Sequence, residues 1–314
     1  KRQVLKPDIA APGQTITSAR AGSGNQSLTI SGTSMAAPHV AGAMALLRQL
    51  HPDWSVEELK ALVMNTATHN VRIAAPNDAP IYNPSRVGAG RIDVRNARNS
   101  QVIAYDAEHP ELVSVSFGAP QVITTATVTR TIRLENKGNS PVTYNVAYQP
   151  VTQVPGVTIT MAQETVTVPA GGMAAVRLTM RATAADMQHV RSPDVAATQT
   201  LARHWLSEAS GYLALTPSSG QALRVPVYAA PRPASDMRAE TSTLDLSSTD
   251  TVSATIRLTG RGIGSSAALT TPSPEDLVSV VSAFELQYVS RDIPTRPNVG
   301  HADLAYVGVA SDYH

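Results

Sequence analysis

The 314-residue sequence contains no cysteine. That excludes a disulfide framework, a Cys-ligated zinc site and a thiol nucleophile. It is compatible with the cytosol and with secreted bacterial proteins that manage without disulfides, so it does not fix the compartment. Aromatic residues are scarce at 4%, and charged residues reach only 16%, below the usual share of about a quarter. A formal net charge of +1 excludes a strongly acidic or basic disordered tail. It also argues against a nucleic-acid binder, which needs a clustered basic surface. Long apolar runs are missing as well. The longest near-apolar stretch, Ala36 to Leu47, is too short to span a bilayer and contains Pro38 and His39. No signal-peptide pattern opens the sequence. Its first residue is Lys1 rather than Met, so the expectation is a chain that begins inside a larger protein.

What is present is an ordinary apolar share, 42%, enough to bury a core. The length suggests about two domains at roughly 150 residues each. Three zones are legible: residues 1–100 with turns and helices, residues 101–232 with strands, and residues 235–314 with strands again. In the first zone a helix is predicted after Gly32-Thr33-Ser34. Its many small residues predict burial on most sides, and Pro38 is expected within about the first turn. A second helix is predicted from the Ser55/Glu58 capping box. Val56, Leu59, Leu62 and Val63 form its packing stripe, and it is expected to fray over Asn65 to His69. Pro76 to Pro84 reads as a surface loop. Arg91 to Val94 reads as a short closing element.

The second zone alternates with period two. Val142, Tyr144, Val146 and Tyr148 share one parity, and so do Val157, Ile159 and Met161. Val166 with Val168, and Val176 with Leu178 and Met180, repeat the pattern. Asn136 to Asn139 and Pro169 to Gly172 supply turns. Such spacing predicts an antiparallel β-sandwich. Val195 to Leu206 reads as an inserted helix, and Pro231 to Ser235 as a linker. The third zone, with Val252, Ala254, Ile256, Leu258 and then Phe284, Leu286, Tyr288, reads as a second, truncated sandwich.

The stretch Gly32-Thr33-Ser34-Met35-Ala36-Ala37-Pro38-His39-Val40-Ala41-Gly42 carries chemistry. It sets a serine at a helix N-terminus, where backbone N–H groups lack partners and the dipole is positive. An oxyanion formed beside Ser34 would meet Ser34's own N–H, as acyl transfer requires. Gly32 is expected to permit a sharp approach of the chain. The pattern is not a G-x-S-x-G elbow, because Ala36 stands at the second glycine.

With its neighbours, this stretch resembles the subtilisin-like serine protease family. Leu5 to Gly13 resembles the strand and turn before the catalytic serine. Ser31 to Gly42 resembles the serine motif, and His51 to Ala67 the following helix. Gly88 to Asp93 resembles the closing segment. The resemblance implies a fold class: the C-terminal part of an α/β catalytic domain over 1–100, then all-β sandwich domains. The first, 101–232, is similar to fibronectin-III-like modules, and 235–314 is a second, truncated one.

The resemblance also implies roles. Ser34 is the nucleophile and a backbone oxyanion donor, and Thr33 supports the oxyanion. The family's chain order is Asp, His, Ser. All eight histidines of this sequence follow Ser34, so the triad Asp and His and the oxyanion Asn are expected before Lys1. A fragment with Ser34 alone is expected to be inactive. The partners implied are a protein or peptide substrate and the remainder of the catalytic domain, with no nucleic acid, no membrane span and a secreted location. No cofactor is implied; calcium occurs as a structural ion in the family, but no residues here mark a site. An alternative is a non-enzymatic surface or adhesion protein carrying a protease remnant. Nothing in residues 31–42 looks degenerate, which counts against it. A third reading is a protease-associated chaperone or inhibitor-like module.

Other groups read more plainly. His39 is expected to be a buried, hydrogen-bonded core histidine, and His51 and His69 to serve at helix ends. Asp8 reads as a structural hydrogen-bonding group ahead of a cation ligand. Gly260 to Gly264 reads as a turn. Asp245, Asp250, Glu275 and Asp276 lack a calcium-loop spacing. Arg130, Arg133 and Lys137 read as a solvated strand edge.

Overall fold

Ser55 starts the best-defined helix of the first zone. Its hydroxyl accepts the Glu58 N–H at 3.1 Å, while the Glu58 carboxylate accepts the Ser55 N–H at 2.7 Å. The capping box read from the sequence is therefore formed, and it satisfies two backbone donors at once. A computed structural model describes residues 4–74, 79–191, 205–241, 255–264, 276–278, 285–289 and 306–309 of the chain.

Its first hundred residues contain a hairpin of β1 (Ile16–Ala19) and β2 (Ser27–Ile30), then α1 (Thr33–Leu50) and α2 (Val56–Asn65). Two short helices follow, α3 (Pro84–Val87) and α4 (Val94–Asn99). Neither α3 nor α4 is in the sequence reading. Pro84 fills the first turn of one, and the Asp93 side chain caps the other by accepting the Asn96 N–H at 2.9 Å. Of the loop read at Pro76 to Pro84, residues 76–78 lie outside the described residues, and Asn83 and Pro84 are buried rather than on the surface.

The α2 stripe is correct at Leu59, Leu62 and Val63, which are buried with Ala61, Met64 and Asn65. Val56 departs from it, being 62% exposed. It is the first residue of the helix, where the stripe runs past its packing partners. No fraying is seen at Asn65, which ends α2 buried. Its Oδ1 accepts the Ala104 N–H at 2.7 Å.

Beyond residue 100 the chain is built from strands. They are β3 (Val102–Asp106), β4 (Val115–Ser116), β5 (Gln121–Val122), β6 (Thr125–Asn136), β7 (Val142–Thr152), β8 (Val157–Met161), β9 (Thr165–Val168) and β10 (Met173–Thr183). After them come β11 (Val190–Arg191), β12 (Trp205–Leu206), β13 (Ala209–Pro217), β14 (Leu223–Ala229) and β15 (Arg232–Pro233). Four strands form one sheet in the order β3-β6-β10-β8, and five form another in the order β4-β14-β13-β7-β9. Buried residues of both sheets make a single apolar cluster, with Ile132, Leu134, Leu178 and Met180 from the first and Val146, Val168, Leu213 and Val225 from the second. The period-two positions of β7, β9 and β10 supply this cluster, as the alternation predicts.

Several readings need correction. The inserted helix at Val195 to Leu206 lies mostly outside the described residues, and its end, Trp205–Leu206, is a strand paired with β11. The linker at Pro231 to Ser235 is partly a strand, since β15 pairs with β5. Arg133 is not on an edge, since it pairs with Tyr105 of β3 on one side and Ala175 of β10 on the other, whereas Arg130 lies beyond the end of β3 and donates from Nε to the Ser116 carbonyl at 3.2 Å. Lys137 is not simply solvated. Its ammonium lies 2.5 Å from Glu58, 2.8 Å from Glu135 and 5.3 Å from the Trp54 ring centroid. In the third zone the described pairs are β16 (Arg238–Ala239) with β17 (Leu258–Thr259) and β18 (Glu285–Val289) with β19 (Tyr306–Val309). Val252, Ala254 and Phe284 lie outside the described residues, as do Asp245, Asp250 and Glu275.

Two cores share strand β3. Val102 and Ala104 face the cluster between the sheets, while Ile103 and Tyr105 join Leu47, Leu59, Leu62 and Ala89 in a second cluster. This is why all five residues of β3 are buried, where an ordinary antiparallel edge alternates. Polar groups close the same junction. The Arg224 guanidinium of β14 donates to the Ala89 carbonyl at 2.5 Å, to Asn70 Oδ1 at 2.7 Å and to the His69 carbonyl at 3.0 Å. Its Cζ lies 4.2 Å from the Tyr212 ring centroid, and the Tyr212 hydroxyl donates to the Gly88 carbonyl at 3.1 Å. Gly90 has φ 115°, and a Cβ there would overlap the Arg224 guanidinium. Only glycine meets both conditions.

Candidate active site

The residue before α1 is Gly32, and no side chain caps the helix. By contrast, Ser55 caps α2 and Asp93 caps α4. A side-chain cap is worth about 1 kcal/mol. Leaving it out keeps the first N–H groups of α1, on Thr33 and Ser34, open to another acceptor. The positive end of the helix dipole favours an anionic one.

Ser34 is in the first turn and is exposed. Its hydroxyl has no hydrogen-bond partner among the described residues. Thr33 is beside it, also exposed. The structure therefore brings Ser34 and Thr33 together on one helix terminus. It does not bring a histidine or carboxylate of the described residues into hydrogen bonding with Ser34.

Two contacts fix the approach to this terminus. Gly32 N–H donates to the Gly13 carbonyl at 2.7 Å, and Thr15 N–H donates to Ser31 Oγ at 2.7 Å. A Cβ on Gly13 would sit 2.7 Å from the Gly32 carbonyl oxygen, whereas one on Gly32 would find nothing nearer than 3.8 Å. The close approach expected of Gly32 is thus made by Gly13. Thr15 has φ 54°, a costly conformation for a β-branched residue. Ser31 holds it there. Neither Thr15 nor Ser31 is singled out by the sequence, because nothing local in a threonine signals a left-handed backbone.

The body of α1 departs from expectation. Only Ala43 and Leu47 of its 18 residues are buried. Leu46 and Leu50 are 60% and 46% exposed. Pro38 lies inside the helix beyond its first turn. It has no N–H for the Ser34 carbonyl four residues back. His39 is exposed, not buried, although the expected hydrogen bond is present: Nδ1 lies 2.8 Å from the Met35 carbonyl.

The remaining candidates are structural. His51 stacks on Trp54 with centroids 4.3 Å apart, and its buried Nε2 has no partner among the described residues. Burial lowers its pKa. His69 Nε2 is 2.8 Å from Asp93 Oδ2, tying the end of α2 to the cap of α4. Asp8 is paired with Lys6 at 2.6 Å and Lys60 at 3.5 Å. Two ammonium groups on its carboxylate do not suit a calcium ligand. Among the described residues no three His, Asp or Glu side chains cluster as a metal site. No helix among the described residues is long and apolar enough to cross a membrane.

Residues 2–90 match the model of the subtilase family. The chain is 37% identical over 123 residues to the subtilisin-like protease SBT1.9 of Arabidopsis thaliana, an alignment covering 36% of this chain and 15% of that protein. It is 40% identical over 102 residues to the minor extracellular protease Vpr of Bacillus subtilis (strain 168), covering 30% and 12%. It is 30% identical over 184 residues to the subtilisin-like protease SBT2.6 of Arabidopsis thaliana, covering 52% and 22%. The aligned part thus spans between 12% and 22% of the length of these relatives. Residues 2–90 are thus similar to the subtilase family of subtilisin-like serine proteases.

Proposed function

We propose that this chain is part of a secreted serine endopeptidase in which Ser34 is the nucleophile. The observation that carries the reading is an exposed, unpartnered Ser34 hydroxyl on the uncapped first turn of α1, inside the subtilase segment. In the proposed reaction Ser34 Oγ attacks the scissile carbonyl carbon and gives its proton to a histidine base. The Ser34 N–H, supported by Thr33, bonds the carbonyl oxygen as it becomes an oxyanion. The amine leaves with the proton, and water then hydrolyses the acyl-enzyme.

The histidine and its aspartate come, on this reading, from polypeptide encoded before Lys1. The apolar surface of α1 and the hairpin supports that view. Leu28, Ile30, Leu46 and Leu50 are all more than 40% exposed, a surface that the rest of a subtilase domain would cover. The 314 residues alone are then inactive, because a serine without a base is a poor nucleophile. We further read residues 101–232 as a fibronectin-III-like β-sandwich and residues 235–314 as belonging to a second one, supporting the catalytic domain. The extracellular location rests on the printed description of the Bacillus relative.

A peptidase assay tests the reading. The 314-residue chain should show no Ser34-dependent turnover. The product extended upstream of Lys1 should hydrolyse peptides, and Ser34→Ala should lower its kcat by at least about a thousandfold. Full activity in that variant would refute the role of Ser34.

A further inference from the structure

The turns at one end of the two sheets border an open cavity of about 240 Å³. It lies where the α4–β3 connection, the β6–β7 turn and the β13–β14 turn meet. No charged side chain lines it. The side chains of Asn99, Gln101, Asn139, Ser140 and Ser219 border it without a hydrogen-bond partner among the described residues. Tyr144 forms the inner wall. Its ring is packed in the core between the sheets, 2% exposed, yet its hydroxyl has no partner among the described residues. The hydroxyl is not sealed in the core, since among the described residues the fully buried polar side-chain atom without a partner is His51 Nε2, and Tyr144 lines this cavity.

The rim is held in place before any ligand arrives. Asn136 Nδ2 donates to the Ser140 carbonyl at 2.8 Å, and Asn136 Oδ1 accepts the Gly138 N–H at 2.9 Å. The Gly171 N–H adds a bond to the Gly138 carbonyl at 3.0 Å. A fixed rim lowers the ordering cost of binding.

The lining selects the chemistry of the occupant. Without a charged side chain, nothing offsets the desolvation of an ionic ligand. Amides and hydroxyls present donors and acceptors together, so the ligand must offer both. The volume falls below the range of about 300–1,000 Å³ typical of drug-sized ligands. We propose that this cavity binds a neutral hexopyranose, either a free sugar or the terminal residue of a glycan, with the Tyr144 hydroxyl bonding one sugar hydroxyl. The site is independent of Ser34 and of the protease reading.

The test is a titration of the whole 314-residue chain, followed calorimetrically and by ligand-observed NMR. The probes are methyl glucoside, methyl galactoside and methyl mannoside, each to about 20 mM, which reaches millimolar affinity. Glucuronate and glucosamine serve as charged counterparts. At least one neutral glycoside should saturate, and its charged counterpart should bind more weakly. Tyr144→Phe, which keeps the ring, should weaken binding about fivefold with Tm unchanged. Asn139→Ala, on the exposed turn, should also weaken it, and serves if the core variant loses stability. Tighter binding of a disaccharide than of its methyl glycoside assigns the site to glycan ends; equal binding assigns it to free sugars. The proposal is overturned if no neutral glycoside saturates, if charged sugars bind equally well, or if neither variant changes affinity.

Discussion

Replacing Arg224 by alanine should uncouple the helices of the first hundred residues from the sheets behind them. Arg224 is 6% exposed and has no carboxylate among its partners. Its charge is carried by two carbonyls, one amide oxygen and the face of Tyr212. Burial accordingly lowers its pKa. A hydrogen bond to a charged group is worth about 1.5–3 kcal/mol, and an acceptor left buried without a donor costs about 1–3 kcal/mol. A desolvated cation–π contact adds about 2 kcal/mol. Against these stands the desolvation of the guanidinium, which the variant no longer bears. The net expectation is a loss of about 3–5 kcal/mol, from the lost bonds, the acceptors left without a donor and the lost cation–π contact, less that desolvation. At about 2–4 °C per kcal/mol for a large domain, Tm should fall by roughly 10 °C. Hydrogen exchange should localise the loss. Amides of α2 and residues 88–92 should exchange faster, while those of β6 and β10 keep their protection. Arg224→Lys should lie between the two, since a compact ammonium cannot reproduce the planar fork. A loss under 1 kcal/mol, or equal acceleration in β6 and β10, would show that this side chain does not join the two units.

Three further outcomes follow from single sites. Ser55→Ala should cost about 1 kcal/mol in urea denaturation, because the capping box loses its acceptor; an unchanged midpoint would contradict the cap geometry. His51 has its folded pKa lowered below 6.5 by burial, so below that pH the unfolded chain binds more protons than the folded one. Stability should therefore rise with pH across the window from the depressed value up to about 6.5, and His51→Phe should flatten that slope; a slope unchanged in the variant would assign it elsewhere. Peroxide should slow the extended, active protein, because Met35 adjoins Ser34 and its sulfoxide adds polar bulk. Full activity with Met35 shown by mass spectrometry to be oxidised would count against this.

Local signals in the sequence are the ones the structure reproduces. The Ser55/Glu58 box needs only four consecutive residues, and β10 alternates over its eleven residues and β7 over its first eight. The serine motif, too, is contiguous. What escapes the sequence is set by distance along the chain. Leu223, Val225 and Val227 share one parity and mark strand β14, but its burial on both faces is not legible there, and Pro226 within it lacks a ladder donor. Its ladder with β4 begins only at Val227, so the missing N–H is tolerated. Arg224 looks like a surface residue until its partners, 135 to 155 positions earlier, are seen around it. The exposure of α1 was missed for a related reason: small residues announce close packing without naming what packs. Helices α3 and α4 are only four and six residues long, too short for a period of 3.6 to register.

The most direct measurement is active-site labelling of the upstream-extended protein with a fluorophosphonate, followed by peptide mass spectrometry. The account predicts one covalent adduct, on the peptide containing Ser34, that disappears in Ser34→Ala. An adduct on a different serine, or active proteolysis with Ser34 unlabelled, would contradict it.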